Sequence, residues 1–207
     1  MTALLRSLFL SGNWKQPVFL CLLILLVACS NPEDKNPHIE IQTKFGKIEV
    51  ELNPDQAPKS VGAFLGNIDA ELYQNAFFYR VLNLTNQPSS HSKAELVQGG
   101  IWRRNRKRSE SLLGIPHEST DQTKILHKNG VISFARLKPG TAKTEFFICI
   151  GDQPGFDYGG ENNADGQGYA AFGKVVKGMD IVTRISDQPE YEQAFDPPVD
   201  IFNIVRK

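Results

Sequence analysis

The chain has 207 residues, and its 23 lysines and arginines balance 23 aspartates and glutamates, so we expect no nucleic-acid partner, which would require a broad basic field. A hydrophobic content of 41% and a charged content of 22% indicate a globular chain and exclude a disordered one. Three cysteines without a Cys-x-x-Cys pair exclude a disulfide framework and a thiol-based zinc protein.

The first 28 residues have the pattern of a secretory signal peptide. Residues 18–28 form an apolar run shorter than the roughly 20 residues that a membrane span needs, and only basic charges, Arg6 and Lys15, precede it. An ordinary cleaved signal peptide and, less favoured, a cytosolic protein with residues 18–28 as a buried strand are open alternatives. Removal of residues 1–28 takes away two basic residues and no acidic one, which leaves a net charge of −2.

The end of this run, Leu26-Val27-Ala28-Cys29, resembles the lipobox of bacterial lipoproteins. The resemblance implies that Cys29 is acylated and becomes the mature N-terminus, with residues 29–37 as a polar tether. It also implies a lipid anchor in the cell envelope, on the periplasmic side or in the outer membrane. Multiple acyl chains anchor stably, at about 0.8 kcal/mol per buried CH₂ group.

The remaining residues, 38–207, predict one domain of short strands with two helices. Apolar residues alternate over 38–52 and predict a hairpin that turns at Gly46. Apolar residues three and four apart follow Pro58 and predict an amphipathic helix, and residues 179–185 predict a second one. Further strands are predicted at 77–82, 96–99, 131–135, 145–150, 169–176 and 198–205. Many short strands with few helices favour an antiparallel sandwich or barrel.

Three polar stretches, at residues 83–95, 103–110 and 151–168, are predicted to be loops. Loops of this length in a compact domain are often functional. The run Arg103–Arg108 could contact acidic lipid headgroups or nucleic acid, but a solvated loop is the preferred interpretation. Cys149 lies in an apolar segment and is predicted to be a small buried hydrophobe. The four histidines share no metal-ligand spacing, so we expect no metal.

Taken together, the segments from residue 38 onward resemble the cyclophilin-type peptidyl-prolyl cis-trans isomerases. The matching segments, in the family's order, are Thr43–Leu52, Ala57-Pro58 with Val61 and Phe64, Phe78–Val81, Gln98–Gly100, Gly130–Arg136, Thr144–Ile148, Tyr169–Gly173 and Gly178–Asp180. The resemblance implies a mainly β fold, a closed eight-stranded antiparallel barrel capped by two α-helices. It implies a monomer that acts on X-Pro bonds of polypeptides without a cofactor.

The resemblance also implies roles for individual residues. Isomerisation breaks amide resonance, against a barrier of ~18–20 kcal/mol, and the twisted transition state returns a lone pair to the proline nitrogen. Arg80 matches the arginine that donates to this nitrogen, and a guanidinium suits the role because it is always charged. The residues that match the substrate-binding positions are Gln98, Leu96, Ala135, Arg136, Glu145, Phe147, Phe156 and Tyr169.

Two of these positions depart from the family pattern. Glu145 replaces a glutamine, and it could order Arg80 by pairing with it or compete with substrate for its donors. Tyr169 stands where many members have histidine, and it could still line the pocket. The segment 83–95 is an insertion between Arg80 and Gln98, with Glu95 where the family often has a phenylalanine.

Three functional hypotheses follow. The first is an isomerase that assists the folding of exported proteins. The second is a cyclophilin-like module that binds proline-containing segments with little or no turnover. The third is a structural lipoprotein of the envelope that acts through residues 103–108.

Overall fold

The computed structural model describes residues 36–88 and 92–207. The predicted signal peptide, the lipobox with Cys29 and most of the tether lie outside the described residues. In the part that is described, no helix is long and apolar enough to cross a membrane.

Nine strands form one antiparallel sheet in the described chain. Their bounds are β1 His38–Thr43, β2 Gly46–Leu52, β3 Ala76–Leu82, β4 Leu96–Gly100, β5 Val131–Phe134, β6 Phe146–Cys149, β7 Ala170–Lys177, β8 Glu190–Tyr191 and β9 Ala194–Arg206. The strand order is β1-β2-β7-β5-β6-β4-β3-β9-β8, and β1 also pairs with β9. That additional pairing closes eight strands into a barrel and leaves β8 outside it, so the predicted barrel is confirmed.

The two predicted helices are present, and two short helices accompany them. The four helices are α1 Pro58–Asp69, α2 Arg106–Ser111, α3 Thr120–Thr123 and α4 Met179–Ser186. The prediction of a loop over residues 103–110 was wrong for its second half, because α2 is formed there. A helix this short, with a charged exposed surface, has no apolar periodicity to reveal it. Asn105 begins it by accepting a hydrogen bond from the Arg108 amide at 3.1 Å.

The inside of the barrel is a core of interlocked aromatic rings. Phe64 of α1 lies at one end, with its ring centroid 5.2 Å from Tyr73 and 5.0 Å from Phe172. Phe146 meets Phe64 edge to face at 5.7 Å. The helix therefore seals the barrel with the apolar stripe that its spacing predicted.

A second, smaller group of buried apolar residues lies on the outer side of the barrel wall. Along β6 the alternation of a strand sends Phe146 and Ile148 into the core and Phe147 and Cys149 outwards. We call this group the outer apolar cluster; its members are Leu82, Ala94, Leu96, Phe147, Cys149 and Phe156, with Ala135 and Tyr169 packed against them.

Candidate active site

Arg80 and Gln98 are brought together by the pairing of β3 with β4. The two residues are direct cross-strand partners, and Nη1 of Arg80 donates to Oε1 of Gln98 at 3.3 Å. Gln98 is in turn the partner of Phe147 on β6. Cross-strand neighbours lie about 5 Å apart, so the predicted donor Arg80 and two of the predicted substrate-binding residues, Gln98 and Phe147, form one row across three strands.

A β-bulge determines which way Arg80 points. The register of β3 shifts between Phe78 and Arg80 against both β4 and β9. Phe78 and Val81 are both in the core, so the extra residue leaves Tyr79 and Arg80 on the outer side together. Strict alternation would have sent Arg80 inwards, which is why the strand pattern alone does not reveal its position.

Tyr79 and Glu145 extend the polar row. Nε2 of Gln98 donates to the Tyr79 hydroxyl at 2.9 Å, and that hydroxyl donates to Oε2 of Glu145 at 2.6 Å. Burial, together with the nearby Glu145 carboxylate, raises the pKa of Tyr79, so the phenol stays protonated. The row of Arg80, Gln98 and Phe147 is therefore extended from Gln98 through Tyr79 to Glu145.

The hydrogen bonds of the Glu145 carboxylate go to groups other than Arg80. Besides Tyr79, it accepts hydrogen bonds from the Thr144 hydroxyl at 2.9 Å and from the amides of Ile101 and Trp102, both at 3.1 Å. Burial raises the pKa of this carboxyl above its usual range. Of the two alternatives for Glu145, pairing with Arg80 or competing with substrate for its donors, the described hydrogen bonds show no pairing, since those of Arg80 go to Gln98 and Gln193.

Gly100 makes room for this arrangement. Its φ of +146° is a conformation that side chains rarely adopt, and a Cβ there would overlap the Glu145 carboxylate. The close approach explains why glycine follows Gly99 at the end of β4.

The outer apolar cluster contains all five of the apolar or aromatic residues predicted for substrate binding. Rings of Phe147, Phe156 and Tyr169 meet at centroid distances of 5.3–5.5 Å, with Tyr169 edge-on to the other two. Phe147 is 2% exposed, Leu96 3% and Phe156 5%, whereas Ala135 and Tyr169 are half-buried at its margin. The insertion contributes Ala94 to this cluster, and Glu95 beside it is not a member.

Arg136 holds the polar stretch 151–168, which is rich in glycine, against this cluster. Its guanidinium donates to the Asp165 carboxylate at 2.6 and 2.8 Å and to the Gly168 carbonyl, and it lies 5.1 Å from the Tyr169 ring. The hydrogen bonds from Arg136 hold the pKa of Asp165 at about 2. The neighbouring Ala135 amide is occupied by the Glu145 carbonyl at 2.9 Å.

Sequence reasoning missed a buried polar group behind Phe147. His127 stacks on the Phe147 ring at 5.9 Å, and its ring nitrogens contact Asp157 Oδ1 at 2.8 Å and Ser133 Oγ at 3.1 Å. Hydrogen bonds thus link Ser133 to His127 and His127 to Asp157, as in the serine, histidine and aspartate of a hydrolytic triad. Ser133 is 0% and His127 1% exposed, however, so no substrate reaches the hydroxyl, and the group supports the pocket floor.

Nothing in the described chain resembles a metal centre. Over residues 36–88 and 92–207, no three histidine, cysteine, aspartate or glutamate side chains are grouped so that they could hold a metal ion. Cys149 is buried in the outer apolar cluster, which raises the pKa of its thiol.

Comparison with known proteins identifies the family. The model of the family described as cyclophilin type peptidyl-prolyl cis-trans isomerase/CLD matches residues 38–206. A peptidyl-prolyl cis-trans isomerase of Acinetobacter baylyi is 31% identical over 155 residues, which cover 74% of each chain. Peptidyl-prolyl cis-trans isomerase B of Escherichia coli is 30% identical over 148 residues, covering 71% of this chain and 82% of the other.

The fold also matches solved structures. A cyclophilin-type isomerase from Cryptosporidium parvum superimposes with a TM-score of 0.64 at 20% identity, covering 83% of this chain and 98% of the other. A second structure of that protein, in the presence of the dipeptide Ala-Pro, gives a TM-score of 0.63. The chain belongs to the cyclophilin-type peptidyl-prolyl cis-trans isomerases, and it is therefore an enzyme that interconverts cis and trans X-Pro bonds.

Proposed function

We propose that this isomerase acts on X-Pro bonds of exported polypeptides in the cell envelope, with Arg80 as the catalytic donor. The observation that carries the proposal is the row from Arg80 through Gln98 to Phe147 on the outer side of the barrel. It sets a cation with planar donors beside an apolar surface, which is what a twisted X-Pro bond requires.

In this proposal the chemistry needs no covalent step. As the imide twists, the proline nitrogen loses conjugation, and an N–H of Arg80 donates to the lone pair that appears. This hydrogen bond is made in the transition state and in neither planar ground state, so it lowers the barrier. Arg80 is half-buried, so its charge is partly shielded from water while its surface remains accessible.

The outer apolar cluster would hold the pyrrolidine ring while the preceding carbonyl rotates. Ala135 and Tyr169, which are half-buried, form the accessible margin, and Phe147 and Phe156 lie beneath it. The Ala-Pro dipeptide was present in a structure of the C. parvum relative, which supports a proline-containing peptide as the ligand of this chain also. We expect the chain to act as a monomer.

The cellular part of the proposal rests on residues 1–29. The apolar run, its basic flank and the lipobox-like Leu26–Cys29 support export and lipid anchoring at the envelope. The orientation of Glu145 favours turnover over simple binding, because this carboxylate does not occupy the donors of Arg80. A structural lipoprotein that acts through residues 103–108 has no comparable support.

The test is an assay of cis-trans isomerisation on an Ala-Pro peptide with the soluble domain, residues 30–207. We expect Arg80→Ala to lower kcat/KM by at least about tenfold, because the donor to the twisted imide is lost. Arg104→Ala is the matched control, since Arg104 is an exposed arginine that is not part of the row. Equal rates for Arg80→Ala and wild type, with both folded, would refute the assignment of Arg80. Binding of the peptide by wild type without any rate enhancement would select the binding module instead.

A further inference from the structure

Gln193 lies in the turn between β8 and β9, next to Arg80. Its φ is +74° and that of Glu192 is +49°, so the turn is built from two residues in the left-handed region. The amide of Gln193 donates to the Glu190 carboxylate at 2.9 Å, and its carbonyl accepts from the Val81 amide at 2.8 Å. The turn is therefore fastened to β3 immediately after Arg80.

The side chain of Gln193 binds nitrogens of the Arg80 guanidinium that Gln98 does not bind. Oε1 of Gln193 accepts from Nη2 of Arg80 at 2.9 Å and from Nε at 3.3 Å. Its Nε2 donates to the Asn86 carbonyl at 3.1 Å. A guanidinium can only donate and a carbonyl can only accept, so these partners fix the orientation of the amide.

The two glutamines together account for three of the five N–H groups of Arg80. Gln98 binds Nη1, and Gln193 binds Nε and Nη2. One N–H on each terminal nitrogen has no partner among the described residues and is available to a ligand. Because an arginine side chain loses rotational freedom when it is ordered, ordering it in advance favours the transition state.

Asn86, in the first part of the insertion, is hydrogen-bonded to the side-chain amide of Gln193. Nδ2 of Asn86 donates to the Val81 carbonyl at 3.1 Å, and its Oδ1 accepts from the Asn83 amide at 3.0 Å. The Asn86 carbonyl that receives Gln193 is therefore held against the end of β3. One side chain connects the insertion, the β8–β9 turn and the guanidinium.

We propose that Gln193 is a positioning residue for the isomerase reaction: it orients the Arg80 guanidinium, and the insertion at 83–88 orients Gln193. This inference rests on the proposed function of Arg80. It assigns residues 83–88 of the insertion a part in orienting the donor.

The test uses two glycine substitutions in the same turn. Glycine adopts a positive φ without cost, so Gln193→Gly removes the amide while the turn keeps its conformation, and Glu192→Gly is the control at an exposed neighbour with the same sign of φ. We expect Gln193→Gly to lower kcat/KM for an Ala-Pro peptide by about tenfold through kcat, with the peptide Kd changed less than about twofold, because misplacing a catalytic group by 1 Å can cost about 10²-fold. Glu192→Gly should leave both constants unchanged.

A merely structural role is separated by repeating the substitution without Arg80. In an Arg80→Ala background, Gln193→Gly should change the rate by less than about twofold, since residues that act as a unit are not additive. A further loss in that background, an equal loss in Glu192→Gly, or full activity of Gln193→Gly would overturn the proposal.

An NMR measurement, which does not depend on turnover, tests the positioning of Arg80 separately from its proposed role in catalysis. In wild type the Nε–H of Arg80 should give a resolved ¹⁵N-correlated NMR signal that exchanges slowly with water, and Gln193→Gly should abolish or broaden it while Glu192→Gly retains it. If the NMR signals change in this way but the wild type is inactive, Arg80 has no role in catalysis, and its positioning by Gln193 still stands. The same signal in wild type and Gln193→Gly would show that Gln193 does not order the guanidinium.

Discussion

Tyr79 shows how much of the site depends on one hydroxyl. It is the acceptor of Gln98 and a donor to Glu145, and the β-bulge places it on the same side as Arg80. Without that oxygen, the Gln98 amide loses an acceptor and the half-buried Glu145 carboxylate loses its shortest hydrogen bond. The first loss acts on Gln98, which binds Arg80.

We therefore expect Tyr79→Phe to reduce isomerisation about three- to tenfold and to lower the free energy of unfolding by about 1–2 kcal/mol, because a hydrogen bond to a carboxylate is lost. Peptide assays and chemical denaturation measure the two effects. Tyr158→Phe, at a half-exposed tyrosine outside the row, serves as the control. Unchanged activity of a folded Tyr79→Phe protein would contradict a coupled row.

At the scale of elements, helix α1 is begun by a distant carboxylate. Ala57, at the position before the helix, has no capping side chain. Glu118 instead accepts from the amides of Lys59 at 3.1 Å and Ser60 at 2.8 Å and from the Ser60 hydroxyl at 2.7 Å. A carboxylate suits this place because the first amides of a helix are unpaired and carry partial positive charge.

Glu118→Ala should lower the free energy of unfolding by about 2 kcal/mol, the upper end for the loss of a helix cap, since the group is only 6% exposed. Denaturation curves would measure it, with Asp121→Ala, at an exposed carboxylate paired with Lys124, as the comparison. Isomerase activity of the folded fraction should not change, because Glu118 is remote from the row. A loss equal to that of Asp121→Ala would show that α1 does not depend on this cap.

His38 of β1, Lys177 of β7 and Lys207, which follows β9, all bind a second carboxylate. Glu49 on β2 accepts from Lys207, from His38 at 2.9 Å and from Lys177 at 3.1 Å. These hydrogen bonds, that of Lys207 first, lower the pKa of Glu49 to about 2. Since the folded state favours the carboxylate, this contribution to stability is complete above the unfolded pKa of about 4.3 and is lost as the pH falls towards 2.

Glu49→Gln should therefore cost stability at pH 7 and cost progressively less between about pH 4.3 and pH 2. The expected loss at pH 7 is about 0.5–1 kcal/mol, because Lys177 and Lys207 are 73% and 46% exposed and water screens the pairs. Unfolding free energies of both proteins across this range test the sign, with Glu161→Gln as an exposed control. A difference that grows as the pH falls would disprove the assignment.

At the scale of the whole molecule, the proposed location depends on one cysteine. If Cys29 is the acylated N-terminus, Cys29→Ala should abolish incorporation of radiolabelled palmitate and release the protein from the membrane fraction. Cys21→Ala, in the apolar run eight residues earlier, should change neither result. Wild-type protein that takes up no label, or a Cys29→Ala protein that still does, would exclude the lipid anchor.

The eight strands of the barrel and the two longer helices were predictable because their apolar residues alternate, form short runs or repeat every three to four positions, whereas β8 was not predicted. The short helices α2 and α3 were not, since a single turn begun by Asn105 or Ser119 has too few residues to show a period. The predicted residues of the apolar pocket were found together because the order of the family's motifs carries that information. Gln193, Tyr79 and His127 were missed, because each acquires its role from a partner far away in the chain or from the bulge.

By itself, the sequence determined the class of fold, the order of the elements, the family and the arginine and apolar residues proposed for the site, because these depend on local periodicity and on motifs that keep their order. Only the tertiary structure decided that Arg80 faces outwards, that two glutamines bind different nitrogens of it and that the hydrogen bonds of Glu145 go to other groups. Those three outcomes arise from a register shift in β3 and from contacts between residues up to 113 positions apart. Hydrogen-bond geometry of that kind is set by how strands pair in space, which the spacing of residues along a chain does not encode.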